Sequence, residues 1–64
     1  MKVNGEQMSC GTNTSLEDFI NLHGYRKEVI AVELNGDIVP KGEYANTILT
    51  EADTLEIVSF VGGG

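Results

Sequence analysis

Apolar and polar residues alternate most regularly between Val29 and Leu34, in the run VIAVEL. Ile30, Val32 and Leu34 fall on one face of a strand, and Val29, Ala31 and Glu33 on the other. The same period returns from Thr54 to Val61: Leu55 and Ile57, continued by Ser59 and Val61, share one face, while Glu56, Val58 and Phe60 share the opposite one. Two shorter strand pairs are marked by their turns. Asn4-Gly5 is a strong hairpin signal, because a two-residue turn between twisted strands needs positive φ at both positions. It joins Met1–Val3 to a returning strand over Glu6–Cys10, with Met1, Val3 and Met8 expected inside. Asn35-Gly36 likewise turns VIAVEL into a short strand, Asp37–Val39, which Pro40 stops.

One segment changes period. Leu16, Phe19, Ile20 and His23 are spaced i, i+3, i+4 and i+7, a single stripe of a helix with Leu22 at its margin. Thr14 stands where an N-cap belongs, and Glu17 three residues later completes a capping box. Gly24 is placed to close the helix in a left-handed conformation. A helix this short needs its stripe packed on a sheet. Lys41–Leu49 is irregular, with a short helical turn around Glu43, Tyr44 and Ala45, and Glu51–Asp53 forms a further turn.

The order strand, strand, helix, strand, short strand, irregular segment, strand predicts an α+β fold. It is a ubiquitin-like β-grasp roll, a mixed four- to five-stranded sheet with one helix across one face and a flexible C-terminal tail. The first and last strands pair in parallel at its centre, which the helical crossover permits. Residues 1–61 form the one domain and Gly62, Gly63 and Gly64 the tail. Leu55 and Ile57 lie under the helix. Val58 and Phe60 then face the other way beside Val29 and Ala31, with nothing in so short a chain to cover them. An apolar patch of that kind beside a tail reads as a docking surface.

Composition narrows the chemistry. A 64-residue domain buries only ~60% of its unfolded surface, yet the usual staples are missing. Cys10 is the single cysteine, so no internal disulfide forms, and Cys10 with His23 is too few for a tetrahedral zinc site. The net charge of −6 is the reverse of what a nucleic-acid binder carries. No apolar run approaches a membrane helix, and no signal-peptide pattern opens the sequence, so no membrane role is expected. A lone cysteine without an export signal fits the cytoplasm. Nucleophile–base pairs, metal sets and phosphate loops are all missing, which points away from an enzyme. Cys10 reads as a small, partly buried apolar residue. Lys41 either meets a partner or follows a strand end. Glu33, Glu43 and Glu56 are solvated carboxylates that a basic partner surface would match.

IAVELNGDIVPK (30–41), the aromatic Tyr44 and EADTLEIVSFVGGG (51–64) resemble the ThiS family, the small ubiquitin-like sulfur carriers of thiamine biosynthesis. The resemblance covers nearly the whole chain. His23 departs from it, standing where the family more often has leucine. It is expected to be partly buried beside the helix C-terminus, an end that favours a cation.

The resemblance implies a cycle at Gly64. An E1-like adenylyltransferase uses ATP to activate the Gly64 carboxylate. Sulfur from a donor, a cysteine desulfurase or another persulfide protein, displaces AMP and leaves a thiocarboxylate. Thiazole synthase then receives the sulfur. The carrier holds no cofactor of its own, and Gly62, Gly63, Val58 and Phe60 meet the partners. Three other roles share the fold: a molybdopterin-synthase small subunit, which is usually longer and has a proline-containing approach to its glycines; a protein-conjugating modifier; and a β-grasp interaction module with an inert tail.

Overall fold

A computed structural model describes residues 1–60. Its strands are β1 (Lys2–Val3), β2 (Glu6–Gln7), β3 (Ile30–Leu34), β4 (Asp37–Ile38) and β5 (Thr54–Ser59), and its α-helix is α1 (Leu16–Leu22). Two 3-10 helices, Lys27–Val29 and Lys41–Asn46, complete the elements. The five strands form one sheet in the order β2-β1-β5-β3-β4. β5 lies at the centre, parallel to β1 and antiparallel to β3. This is the mixed β-grasp sheet expected from the order of elements.

Both Asn-Gly turns take the predicted form. Asn4 and Gly5 have φ of 51° and 85°, and Asn35 and Gly36 have 53° and 90°, the type I′ signature. The two asparagines also do something further. The Asn4 amide accepts from the Ile57 N–H at 2.7 Å and donates to the Ile57 carbonyl at 3.2 Å. It thereby prolongs the β1–β5 ladder past the end of β1. On the other side of β5, the Asn35 amide accepts from the Thr54 N–H and donates to Asp53, both at 2.9 Å.

The helix is held from beneath. Leu16, Phe19 and Ile20 are buried with Ile30, Val32, Leu55 and Ile57 in one core that also takes in Met1, Val3, Cys10, Tyr44 and Leu49. Burying each large apolar side chain is worth about 1.5–3 kcal/mol, whereas a seven-residue helix is not stable alone. α1 also packs against the second 3-10 helix, whose Tyr44 is fully buried. Among the described residues the Tyr44 hydroxyl finds no hydrogen-bond partner, and burial pushes its pKa up.

The structure moves several expected boundaries. The N-cap is Ser15, not Thr14: the Ser15 hydroxyl accepts from the Asp18 N–H at 3.0 Å. The cause is tertiary. Thr14 accepts from the Leu49 N–H and Leu16 donates to the Thr47 carbonyl, so this stretch is held extended against 47–49. Glu17 therefore forms no capping box and pairs instead with Lys27 at 2.8 Å. The helix closes as predicted at Gly24, φ 80°, in a Schellman arrangement: Tyr25 donates to the Ile20 carbonyl and Gly24 to that of Asn21. His23 becomes the C-cap, leaves the stripe and is exposed, its ring 4.3 Å from that of Phe19. β2 is shorter than expected, although the Met8 N–H still reaches the Met1 carbonyl. Val29 belongs to a 3-10 turn rather than to β3, and β4 stops at Ile38. β5 ends at Ser59, with Phe60 still donating to the Val29 carbonyl at 3.0 Å. Val61 and the expected boundary with the Gly62–Gly64 tail lie outside the described residues.

Asn4→Gly keeps the backbone conformation and removes only the amide clamp on Ile57. Two lost hydrogen bonds predict a loss of about 1–3 kcal/mol, read from the urea midpoint, with a native circular-dichroism spectrum retained.

Candidate functional site

Residues directly opposite one another across paired strands share a face. The β3–β5 register sets Ala31 opposite Val58 and Glu33 opposite Glu56, and the β3–β4 register sets Ile38 opposite Glu33. These side chains line the face of the sheet away from α1, and no element among the described residues covers it. One end is apolar: Val58 and Phe60 are 59% and 62% exposed, beside half-buried Val29 and Ala31. The other end carries Glu33, Glu56 and exposed Ile38. Glu33 and Glu56 have no counter-ion among the described residues, so like charges stand opposite each other, a mildly destabilising arrangement. Glu43 is exposed on the second 3-10 helix.

The structure thus brings together Val58 and Phe60, the two sequence-predicted partner residues that it describes. Gly62, Gly63 and Gly64 lie outside the described residues. The position of Lys41 is specific. Its ammonium donates to the Ile30 carbonyl and stands 5.9 Å from the Tyr44 ring centroid and 5.7 Å from that of Phe60. The only local signal for this is the Pro40-Lys41 pair that follows β4.

Cys10 is a buried member of the core cluster and is chemically quiet. Its thiol is buried and donates to Glu51 Oε2 at 3.0 Å. That hydrogen bond, burial and the carboxylate charge all push the thiol pKa up, which keeps it protonated and a poor nucleophile. The same Glu51 oxygen accepts from the Cys10 N–H at 2.8 Å, and Oε1 lies 3.6 Å from the Met1 ammonium. The Cys10 thiol, then its N–H, then the ammonium hold the Glu51 carboxyl down at about 2. Among the described residues no group of three or more His, Cys, Asp or Glu side chains is placed to hold a metal ion, and no helix is long and apolar enough to cross a membrane.

A central strand paired in parallel with the first strand, one helix on one face and an open apolar patch on the other define a ubiquitin-like β-grasp protein. The chain belongs to the ThiS family, whose sequence model matches residues 1–64. It is similar to the sulfur carrier protein ThiS of Bacillus subtilis, 31% identical over 65 residues that span all of this chain and 98% of that one. Its structure is similar to the crystal structure of thiamine biosynthesis protein ThiS from Geobacter metallireducens, with a TM-score of 0.78, 27% identity, and 98% and 96% of the two chains covered. It is also 39% identical over 62 residues to a thiazole synthase of Paramagnetospirillum magneticum, matching 97% of this chain but spanning only 19% of that longer protein.

Two outcomes are expected. The depressed Glu51 pKa adds stability that is complete above the unfolded glutamate value of about 4.3 and is lost as pH falls toward 2. Urea midpoints between these limits should fall for the native chain and fall less steeply for Glu51→Gln. Glu56→Gln removes the like-charge opposition to Glu33 and should raise the urea midpoint slightly, an effect that shrinks when denaturation is repeated in high salt.

Proposed function

We propose that this protein carries sulfur for thiamine biosynthesis on the carboxyl group of Gly64. Family membership across residues 1–64 is the observation that carries the reading. A carboxylate is a poor electrophile, so an E1-like enzyme first joins it to AMP from ATP and releases pyrophosphate. A persulfide, supplied by a cysteine desulfurase or a related donor, attacks the acyl carbon through its terminal sulfur and expels AMP. Reductive cleavage of the resulting acyl disulfide by a thiol leaves the thiocarboxylate on Gly64. Thiazole synthase receives the sulfur, and an oxygen from water or from the sulfur acceptor replaces it at the acyl carbon, which regenerates the carboxylate.

The residues suit each step. Gly62, Gly63 and Gly64 have no Cβ, so they fit narrow channels and accept any φ/ψ the channel imposes. Val58 and Phe60 offer apolar area whose burial against a partner offsets the entropy of ordering that glycine segment. The acidic excess suits a partner with a basic surface. Cys10 takes no part, since its protonated thiol is turned into the core. The segment of a thiazole synthase that is similar to 97% of this chain supports that enzyme as the acceptor. The protein itself acts as a co-substrate in the cytoplasm, with no cofactor of its own and no nucleic-acid or membrane partner.

The test is the intact mass of the chain after incubation with a thiamine-pathway adenylating enzyme, ATP and a sulfide source. One oxygen should be exchanged for one sulfur, and deletion of Gly64 should abolish the change. An unaltered mass beside a converted control carrier would rule out this role.

A further inference from the structure

The place where β4 leaves the sheet creates a specific vacancy in the hydrogen-bond ladder. β4 pairs with β3 through Glu33↔Ile38 and Leu34↔Asp37, and the Val39 N–H continues to the Val32 carbonyl at 2.9 Å. Extended in the same register, the chain would place Lys41 opposite Ile30, with the Lys41 N–H on the Ile30 carbonyl. Pro40 instead sends it into the second 3-10 helix, where Glu43 donates to the Pro40 carbonyl. The Lys41 ammonium takes up the Ile30 carbonyl that the backbone has abandoned. From that edge it meets an aromatic ring of each layer, buried Tyr44 inside and exposed Phe60 outside, both within the range of a cation–π contact. Among the described residues, the backbone of Phe60 is anchored by its N–H on the Val29 carbonyl.

We propose that Lys41 is a positioning residue that holds Phe60 in the orientation in which the open sheet face docks on the adenylating partner. This rests on the carrier reading above. The ammonium is fixed by the Ile30 carbonyl and the Tyr44 ring, both parts of the core region, so it transmits a rigid position to a side chain that is mostly in solvent. Arginine could keep the charge and the aromatic contact, whereas methionine keeps only the apolar stem.

The experiment compares wild type, Lys41→Met, Lys41→Arg, Phe60→Ala and the Lys41→Met/Phe60→Ala double variant. Two readouts are taken: exchange protection of the Phe60 amide by NMR, and KM and kcat of the carrier with a thiamine-pathway adenylating enzyme. Loss of one cation–π contact predicts about a two- to fivefold fall in Phe60 protection and a similar rise in KM in Lys41→Met. kcat should be unchanged, and Lys41→Arg should restore both values. In the Phe60→Ala background Lys41→Met should add nothing further, because its effect passes through Phe60. A wild-type KM in Lys41→Met, or a KM effect that persists undiminished without Phe60, would overturn the positioning role alone. A wild-type chain that the enzyme never adenylates, beside an active control carrier, would overturn the carrier reading and the docking role with it.

Discussion

The fold depends on the pairing of β5 on both of its edges. A parallel neighbour cannot be reached by a tight turn, so the chain between β1 and β5 must travel across the sheet and back. That crossover contains α1, which covers the inner face on its way. β3 then fills the other edge of β5 as its antiparallel partner. Once both edges are occupied, β5 directs Leu55 and Ile57 into the core and Glu56 and Val58 outward, because side chains alternate along a strand. A slip of one residue would exchange those two sets. The asparagine clamps oppose such a slip. Asn4 grips the Ile57 backbone from the parallel side, and Asn35 takes the Thr54 N–H from the antiparallel side. The register of the central strand is thus held at two points by residues that are themselves fixed in turns.

The same alternation places the candidate interaction surface on the strand that leads to Gly62–Gly64. Val58 and Phe60 lie within a few residues of the proposed sulfur-bearing carboxyl. An enzyme that gripped this face would gain apolar contact close to that carboxyl. Docking through one face would leave the other entirely to the core, which a domain of this size can ill spare. Glu51 gathers the Cys10 thiol, the Cys10 N–H and the Met1 ammonium about one carboxylate. It ties the start of the chain to the turn before β5.

Much of this was legible in the residues because it rests on short-range rules. Asn-Gly dictated the two turns, the period-two runs VIAVEL and TLEIVS dictated β3 and β5 with their faces, and Leu16, Phe19 and Ile20 marked the helix stripe. What escaped reading depends on residues distant in sequence. Thr14 and Ser15 both suit an N-cap locally, and the pairing of 14–16 with 47–49 selects Ser15. The Asn4 clamp acts on a residue 53 positions away. His23 fits the stripe by spacing, but the Schellman closure at Gly24 turns it out to solvent. The outward positions of Val58 and Phe60 followed from alternation alone. The roles of Gly62, Gly63 and Gly64 came only from resemblance, since three glycines carry no pattern of their own.

Lys41 shows how a strand ending can acquire a function. Pro40 leads the chain out of the sheet, so the Lys41 N–H never reaches the Ile30 carbonyl, and a sheet edge left with an unpaired carbonyl needs another donor. A lysine one residue later supplies one on a long flexible stem. The stem allows the ammonium to pass round the edge of β3, where Tyr44 and Phe60 approach from opposite layers. A backbone N–H in the same position would satisfy the Ile30 carbonyl equally well but could not reach either ring. Replacing a backbone donor with a side-chain cation therefore satisfies the edge and, in the same contact, couples the core aromatic to the exposed one. The device ties a local necessity of the sheet to the orientation of an exposed aromatic ring.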